Sequence, residues 1–177
     1  LKHGNIAGIS AKRAELIIDK FGDNAFDVLV YQPHLLEGIR GIGKKTIEKI
    51  KVSAKDKLET QNMIAQIMRY IQGFDISPAY SNKIYKQYGL DSIKVLKENP
   101  YRLADDITGV GFLKADEIAL KNGIPETSPF RVESAVLYIL KQMNKEGDVF
   151  SYIHDIEAEG KEFLKLDKSY IDKAVES

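Results

Sequence analysis

The chain has 177 residues, 44% of them hydrophobic and 29% charged, with 26 basic and 26 acidic side chains and no cysteine. That is enough apolar material for one or two small packed units, and the zero net charge argues against a uniformly basic nucleic-acid binder. The longest apolar run, residues 135–140, is too short to cross a membrane, no basic and apolar N-terminal segment suggests secretion, and the lack of cysteine rules out disulfides and thiol chemistry and fits a cytoplasmic protein.

From the N-terminus, a hairpin over residues 7–10 leads into a helix whose apolar positions Ala14, Ile17, Ile18 and Phe21 follow helical spacing, closed by Gly22. Asp23 or Asn24 is placed to cap a second helix holding Ala25, Phe26, Val28 and Leu29, and Pro33 starts a short third helix that ends at Leu36. The stretch that follows, LEGIRGIGKKTIEKI, runs through Gly41-Ile42-Gly43 into a lysine-rich helix expected over residues 44–57. Two glycines around one apolar side chain allow a tight turn with exposed N–H groups, and the helix start adds its own amides and dipole, together with Lys44, Lys45 and the Thr46 hydroxyl. This pattern describes an anion site. It is not a Walker A loop, because Lys45 stands where Ser or Thr would bind magnesium and no strand precedes it. The plainer reading is a turn between two helices with a solvated lysine face.

Next comes the charged run of residues 55–59, and then Met63, Ile64, Ile67, Met68 and Ile71 form a helical stripe, read as a separate connecting helix. Beyond it the sequence repeats itself. Ile9-Ser10 returns as Ile76-Ser77, Phe21-Gly22 as Tyr88-Gly89, Val28-Leu29 as Val95-Leu96, Pro33 as Pro100 and Leu36 as Leu103, all at one offset of 67. After a single inserted residue, Ile39 returns as Ile107, Gly41-Ile42-Gly43 as Gly109-Val110-Gly111 and Ile50 as Ile118. The chain holds two copies of one unit, each a pair of helix-hairpin-helix elements. Gly123, Pro125, Ser128 and Pro129 mark a boundary, after which Val132, Ala135, Val136, Ile139, Leu140 and Met143 outline an amphipathic helix capped by Ser128 and ended by Gly147. A short strand over residues 148–152 and a helical remainder give this last part a winged-helix-like outline. The expected fold is all-α, with boundaries at 1–58, 59–123 and 124–177.

No catalytic constellation emerges. His3, His34 and His154 lack metal-ligand spacing, and the acid pairs Asp105-Asp106 and Asp116-Glu117 are neighbours on a helix, which do not share a face. The hairpins instead rank as phosphate clamps. Gly41, Gly43, Lys44, Lys45 and Thr46 make the best; Gly109, Gly111 and Lys114 keep the glycines but place Phe112 and Leu113 where the lysines were; Gly8, Ser10, Lys12 and Arg13 lose the second glycine and gain charge. The fourth, Asp75-Ile76-Ser77-Pro78, has lost both glycines and reads as a structural relic, with Tyr80 standing where Arg13 stands in the first copy. Such clamps touch phosphates and not base edges, so binding would be independent of sequence and sensitive to salt. The charge distribution agrees, since residues 1–58 carry 11 basic against 7 acidic side chains and residues 124–177 carry 7 against 11.

The motifs GISAKRAELI, GIGKKTIEKI and GVGFLKADEIA resemble the helix-hairpin-helix superfamily of non-specific DNA-binding elements. The run VLKENPYRLADDITGVGFLKADEIALKNGI, with ISPAYSNKIYKQYG before it, is similar to the N-terminal region of the long-form RecD-like DNA helicases, relatives of the exodeoxyribonuclease V alpha subunit, over roughly residues 1–155. The resemblance implies a longer parent, active in DNA repair or recombination, that hydrolyses ATP with magnesium to unwind DNA in the 5′ to 3′ direction, its motor domains lying outside this chain. It also implies a monovalent cation on the backbone carbonyls of Glu37, Ile39 and Ile42, and of Asp105, Ile107 and Val110. The expectation is therefore a fragment without its own catalysis that binds single-stranded or duplex DNA by the backbone and positions it for the motor. The alternatives are a protein-docking scaffold and the DNA-binding part of a nuclease or repair protein.

Overall fold

The computed structural model describes residues 6–146 and 152–175, and every regular element in them is helical. These residues form two compact units, divided after Ala65.

In the first unit, α1 (Ala11–Phe21) is followed by a 3-10 turn, α2 (Ala25–Tyr31), a second 3-10 turn (Pro33–Leu36) and the start of α3 (Lys44–Ile71). Gly22 closes α1 as expected, at φ 55°, with its amide donating to the Ile18 carbonyl. Asp23 and Asn24 do not cap α2 as expected. They belong to the 3-10 turn of residues 22–24, and the Asn24 side chain makes no capping bond, because Asn24 is itself helical (φ −79°, ψ 0°) where a capping residue is extended. The core gathers Ile17, Leu29, Leu36 and Ile50, all fully buried, around Ile6, Val28, Ile39 and Ile42.

The expected break between residues 57 and 63 is absent. α3 runs unbroken over 28 residues through the charged run at 55–59, since Lys, Asp, Leu and Glu in sequence contain no helix breaker and their charges face water. The division between units falls inside this helix, and Ile67 and Ile71 on its last turns are fully buried.

The second unit repeats the plan with α4 (Tyr80–Tyr88), α5 (Ser92–Glu98), α6 (Arg102–Asp106) and α7 (Phe112–Lys121). To these it adds α8 (Pro129–Glu146), α9 (Ile153–Leu164) and α10 (Lys168–Val175). Pro129 opens α8, with the Ser128 carbonyl accepting from the Val132 amide at 3.1 Å. Gly147 and most of the expected strand over 148–152 lie outside the described residues; Tyr152 itself is extended and precedes α9. Phe112 stacks between Tyr101 and Tyr138 at ring distances of 6.0 and 5.5 Å, on a core of Ala115, Val132, Ala135, Ile156, Leu164 and Ile171.

One polar cluster is built into this unit. The Arg131 guanidinium donates to both oxygens of Asp116 (2.8 and 3.1 Å) and to the Glu126 carbonyl (3.2 Å), while the Tyr101 hydroxyl donates to Asp116 Oδ1 (2.7 Å). Burial, and then the hydrogen bond to that carboxylate, push the Tyr101 hydroxyl above its ordinary pKa. Asp116 is thus a structural acid and not one of a surface pair with Glu117, which bridges Lys114 and Lys121 on the exposed side (3.3 and 2.9 Å).

Candidate nucleic-acid interface

All four hairpins place a residue of positive φ at their first position. Gly8, Gly41 and Gly109 take φ of 90°, 83° and 97°, and Asp75, at the matching place in the fourth, takes 51°. Only this first position needs the left-handed region. Two residues later the chain is extended and begins a helix, with Ser10 at φ −84° and Gly111 at φ −95°, a form open to any residue. Ser10 is therefore not a degraded glycine. It is the N-cap of α1, its Oγ accepting from the Arg13 amide at 3.4 Å, while Ser77 Oγ accepts from the Ala79 amide at 3.4 Å in the turn that precedes α4. Asp75 holds a conformation that costs a non-glycine residue about 1–3 kcal/mol, softened for Asp by its short polar side chain. Asp75→Gly is expected to raise stability by about 0.5–1 kcal/mol in urea denaturation, and a loss would contradict that reading of the strain.

In the 41–46 hairpin, the Ile42 amide donates to the Ile39 carbonyl (3.0 Å) and the Ile42 side chain, 6% exposed, plugs the core. The Thr46 and Ile47 amides both close on the Gly43 carbonyl (2.8 and 3.0 Å). That leaves the amides of Gly43, Lys44 and Lys45 without a partner among the described residues, on the exposed start of the longest helix, beside two exposed lysines that make no ion pair there. The 8–13 hairpin sits against the same place. The Ala7 amide donates to Ser53 Oγ (2.9 Å), and Gly8 lies so close to Thr46 and Ile50 that a Cβ would come within 3.5 and 3.2 Å of them. Arg13 donates through Nη1 to the Gly8 carbonyl (3.0 Å), and a Cβ on Gly41 would lie 3.7 Å from its Nε. The two clamps that the sequence ranks separately are thus neighbours, with Lys12, Arg13, Lys44 and Lys45 on the starts of α1 and α3.

The second unit is differently furnished. Tyr80, in Arg13's place, donates its hydroxyl to the Gly109 carbonyl (3.2 Å), and Lys83 lies over its ring at 4.9 Å while donating to the Thr108 carbonyl (3.4 Å). That tyrosine is a latch on the hairpin. The amides of Gly111, Phe112 and Leu113 again have no partner among the described residues, but Phe112 is buried, Leu113 is 60% exposed, and Lys114 is held by Glu117. His34 and His154 are exposed, His3 lies outside the described residues, and no group of three or more His, Asp or Glu is placed to hold a metal ion among the described residues. No helix among them is long and apolar enough to cross a membrane.

Residues 60–150, a little over half of the chain, match the family model of the ATP-dependent RecD2 DNA helicase HHH domain. The chain belongs to this family. The RecD2 resemblance extends to the ATP-dependent RecD2 DNA helicase of Deinococcus radiodurans, 26% identical over 136 residues, which cover 77% of this chain and 18% of that protein. The chain thus spans less than a fifth of the length of that curated RecD2 relative. No solved structure matches it. The matched span takes in the second repeat and α8, so the RecD2 family signature lies on the Tyr80-latched hairpin and the Asp116–Arg131 cluster, and the lysine-rich clamp lies outside it.

Proposed function

We propose that this chain holds DNA by its sugar–phosphate backbone, without regard to sequence, and positions it for the ATP-driven motor of a longer helicase. The observation that carries this reading is the meeting in the first unit of two helix starts bearing Lys12, Arg13, Lys44 and Lys45, with Arg13 beside Gly41 and three amides unpartnered among the described residues. Family membership supports it, since the relative's name gives a DNA helicase that uses ATP. ATP and magnesium belong in this reading to the motor, because the chain has no nucleotide loop. A monovalent cation also suits the turn: the Ile39 carbonyl spends one lone pair on the Ile42 amide, leaving the second free, and no donor reaches the Glu37 or Ile42 carbonyl among the described residues. Such an ion would tie the turn together and add positive charge beside the amides.

The test is fluorescence anisotropy of labelled single-stranded and duplex oligonucleotides across a salt series. Micromolar or weaker binding is expected, with a log–log salt slope reflecting a few phosphates. The Lys44→Ala, Lys45→Ala pair should weaken binding by about tenfold and flatten the slope by about 1–2. Binding that ignores salt, or a double mutant that behaves as the parent, refutes the assignment.

A further inference from the structure

Beside the last hairpin lies a partly open cavity of about 180 Å³, bounded by Gly111, Phe112, Tyr138, Ser134 and Gln142, with the Asp105–Lys141 pair (3.7 Å) among the lining groups. At roughly 30 Å³ per water it has room for about six, enough for one planar heterocycle and well short of the roughly 300 Å³ where drug-sized pockets begin. Its lining is not that of a packing gap. Ser134 is 7% exposed as a residue, lines the cavity and has no hydrogen-bond partner among the described residues, while its Oγ is not among the fully buried unsatisfied atoms and so is reachable from the cavity. Gly111 belongs both to the cavity wall and to the run of unpartnered amides at the start of α7. The first repeat cannot build a counterpart, because Ser134, Tyr138, Lys141 and Gln142 come from α8, which lies outside the repeated unit.

We propose that this cavity receives one unpaired base of a DNA strand whose phosphate is held at the start of α7; the inference rests on the reading of the hairpins as backbone clamps. A base fits against the edges of the Phe112 and Tyr138 rings, whose faces are taken by each other and by Tyr101 and Phe163, an exocyclic amino group meets the Asp105 carboxylate, and Ser134 and Gln142, which both donate and accept, serve whichever base edge is present. The replacement of the first copy's Lys44 by Phe112 thereby gains a purpose, trading charge for an apolar wall. A paired and stacked base cannot enter, so the site favours single strands and frayed ends over intact duplex.

The experiment compares a single-stranded oligonucleotide with an abasic strand of equal length, by anisotropy at two salt concentrations, on the whole chain and on its Ser134→Leu and Gln142→Trp variants. The wild type is expected to prefer the base-bearing strand by about tenfold, and filling the cavity should bring that ratio close to one. If Ser134→Leu unfolds, Gln142→Trp, at a half-buried position, carries the test. Equal, salt-sensitive binding of both strands by the wild type overturns the base site and leaves the backbone clamps standing, as does a preference that survives Gln142→Trp. No binding of either strand at low salt overturns both.

Discussion

Replacing Asp116 by alanine is expected to lower the unfolding free energy by about 3–5 kcal/mol, the cost of leaving one member of a buried ion pair uncompensated. Arg131 is 8% exposed and would keep its charge among Tyr101, Val132 and the Glu126 carbonyl with its two best acceptor bonds gone. The Tyr101 hydroxyl would lose its acceptor at the same stroke. Urea denaturation measures the effect as a fall in the transition midpoint at constant m-value. Two comparisons make the cause identifiable. Asp105→Ala removes a partner of the exposed Lys141, at 3.7 Å, and should cost under about 1 kcal/mol. The paired change Asp116→Leu with Arg131→Met should cost clearly less than Asp116→Ala alone, because it removes both desolvated charges and keeps the volume. If the single and double variants are equally damaged, the pair is not what holds α7 to α8.

The second large effect concerns the two glycines of the last hairpin, which look interchangeable in sequence. Gly109→Ala is expected to cost about 2–3 kcal/mol, from a left-handed φ of 97° and from a Cβ that falls on the Tyr80 hydroxyl. Tyr80→Phe in the same background should recover the steric part and leave the conformational part. Gly111→Ser, two residues on, should be neutral or stabilise by a few tenths of a kcal/mol, since that residue is extended, has open space around it and would gain the cap that Ser10 already provides in the first copy. Thermal or urea melts of the three variants decide the matter; equal losses at Gly109 and Gly111 would contradict it.

Much of this architecture could be read from the residues alone. The offset between copies aligned Leu36 with Leu103 and Ile50 with Ile118, and all four are fully buried, because a repeated unit must bury a repeated set. The helix from Ala11, the closure at Gly22 and the short turn from Pro33 follow from local spacing and stereochemistry. Less local features were hidden. Asp116 meets Arg131 fifteen residues later and Tyr101 fifteen residues earlier, and no periodicity marks such a pairing. The reach of Arg13 toward Gly41 depends on how two hairpins fold onto one helix. A helix break was expected near the charged run at 55–59 because the apolar stripe pauses there, but continuity needs only the absence of a breaker. The cavity under Ser134 needs α8 to lie against α7, and a serine in a helix gives no sign of which neighbour it will face.

The conformation of the first hairpin position has an accounting consequence for the whole chain. A pattern that demands Gly-x-Gly counts two hairpins here, at 41–43 and 109–111. A pattern that demands a left-handed residue and, two places later, a small residue opening a helical turn counts four, since Gly8 with Ser10 and Asp75 with Ser77 obey it as well. Relatives whose glycines have drifted would thus still carry the duplicated ground plan, recognisable by the torsion of one residue when its letter has changed.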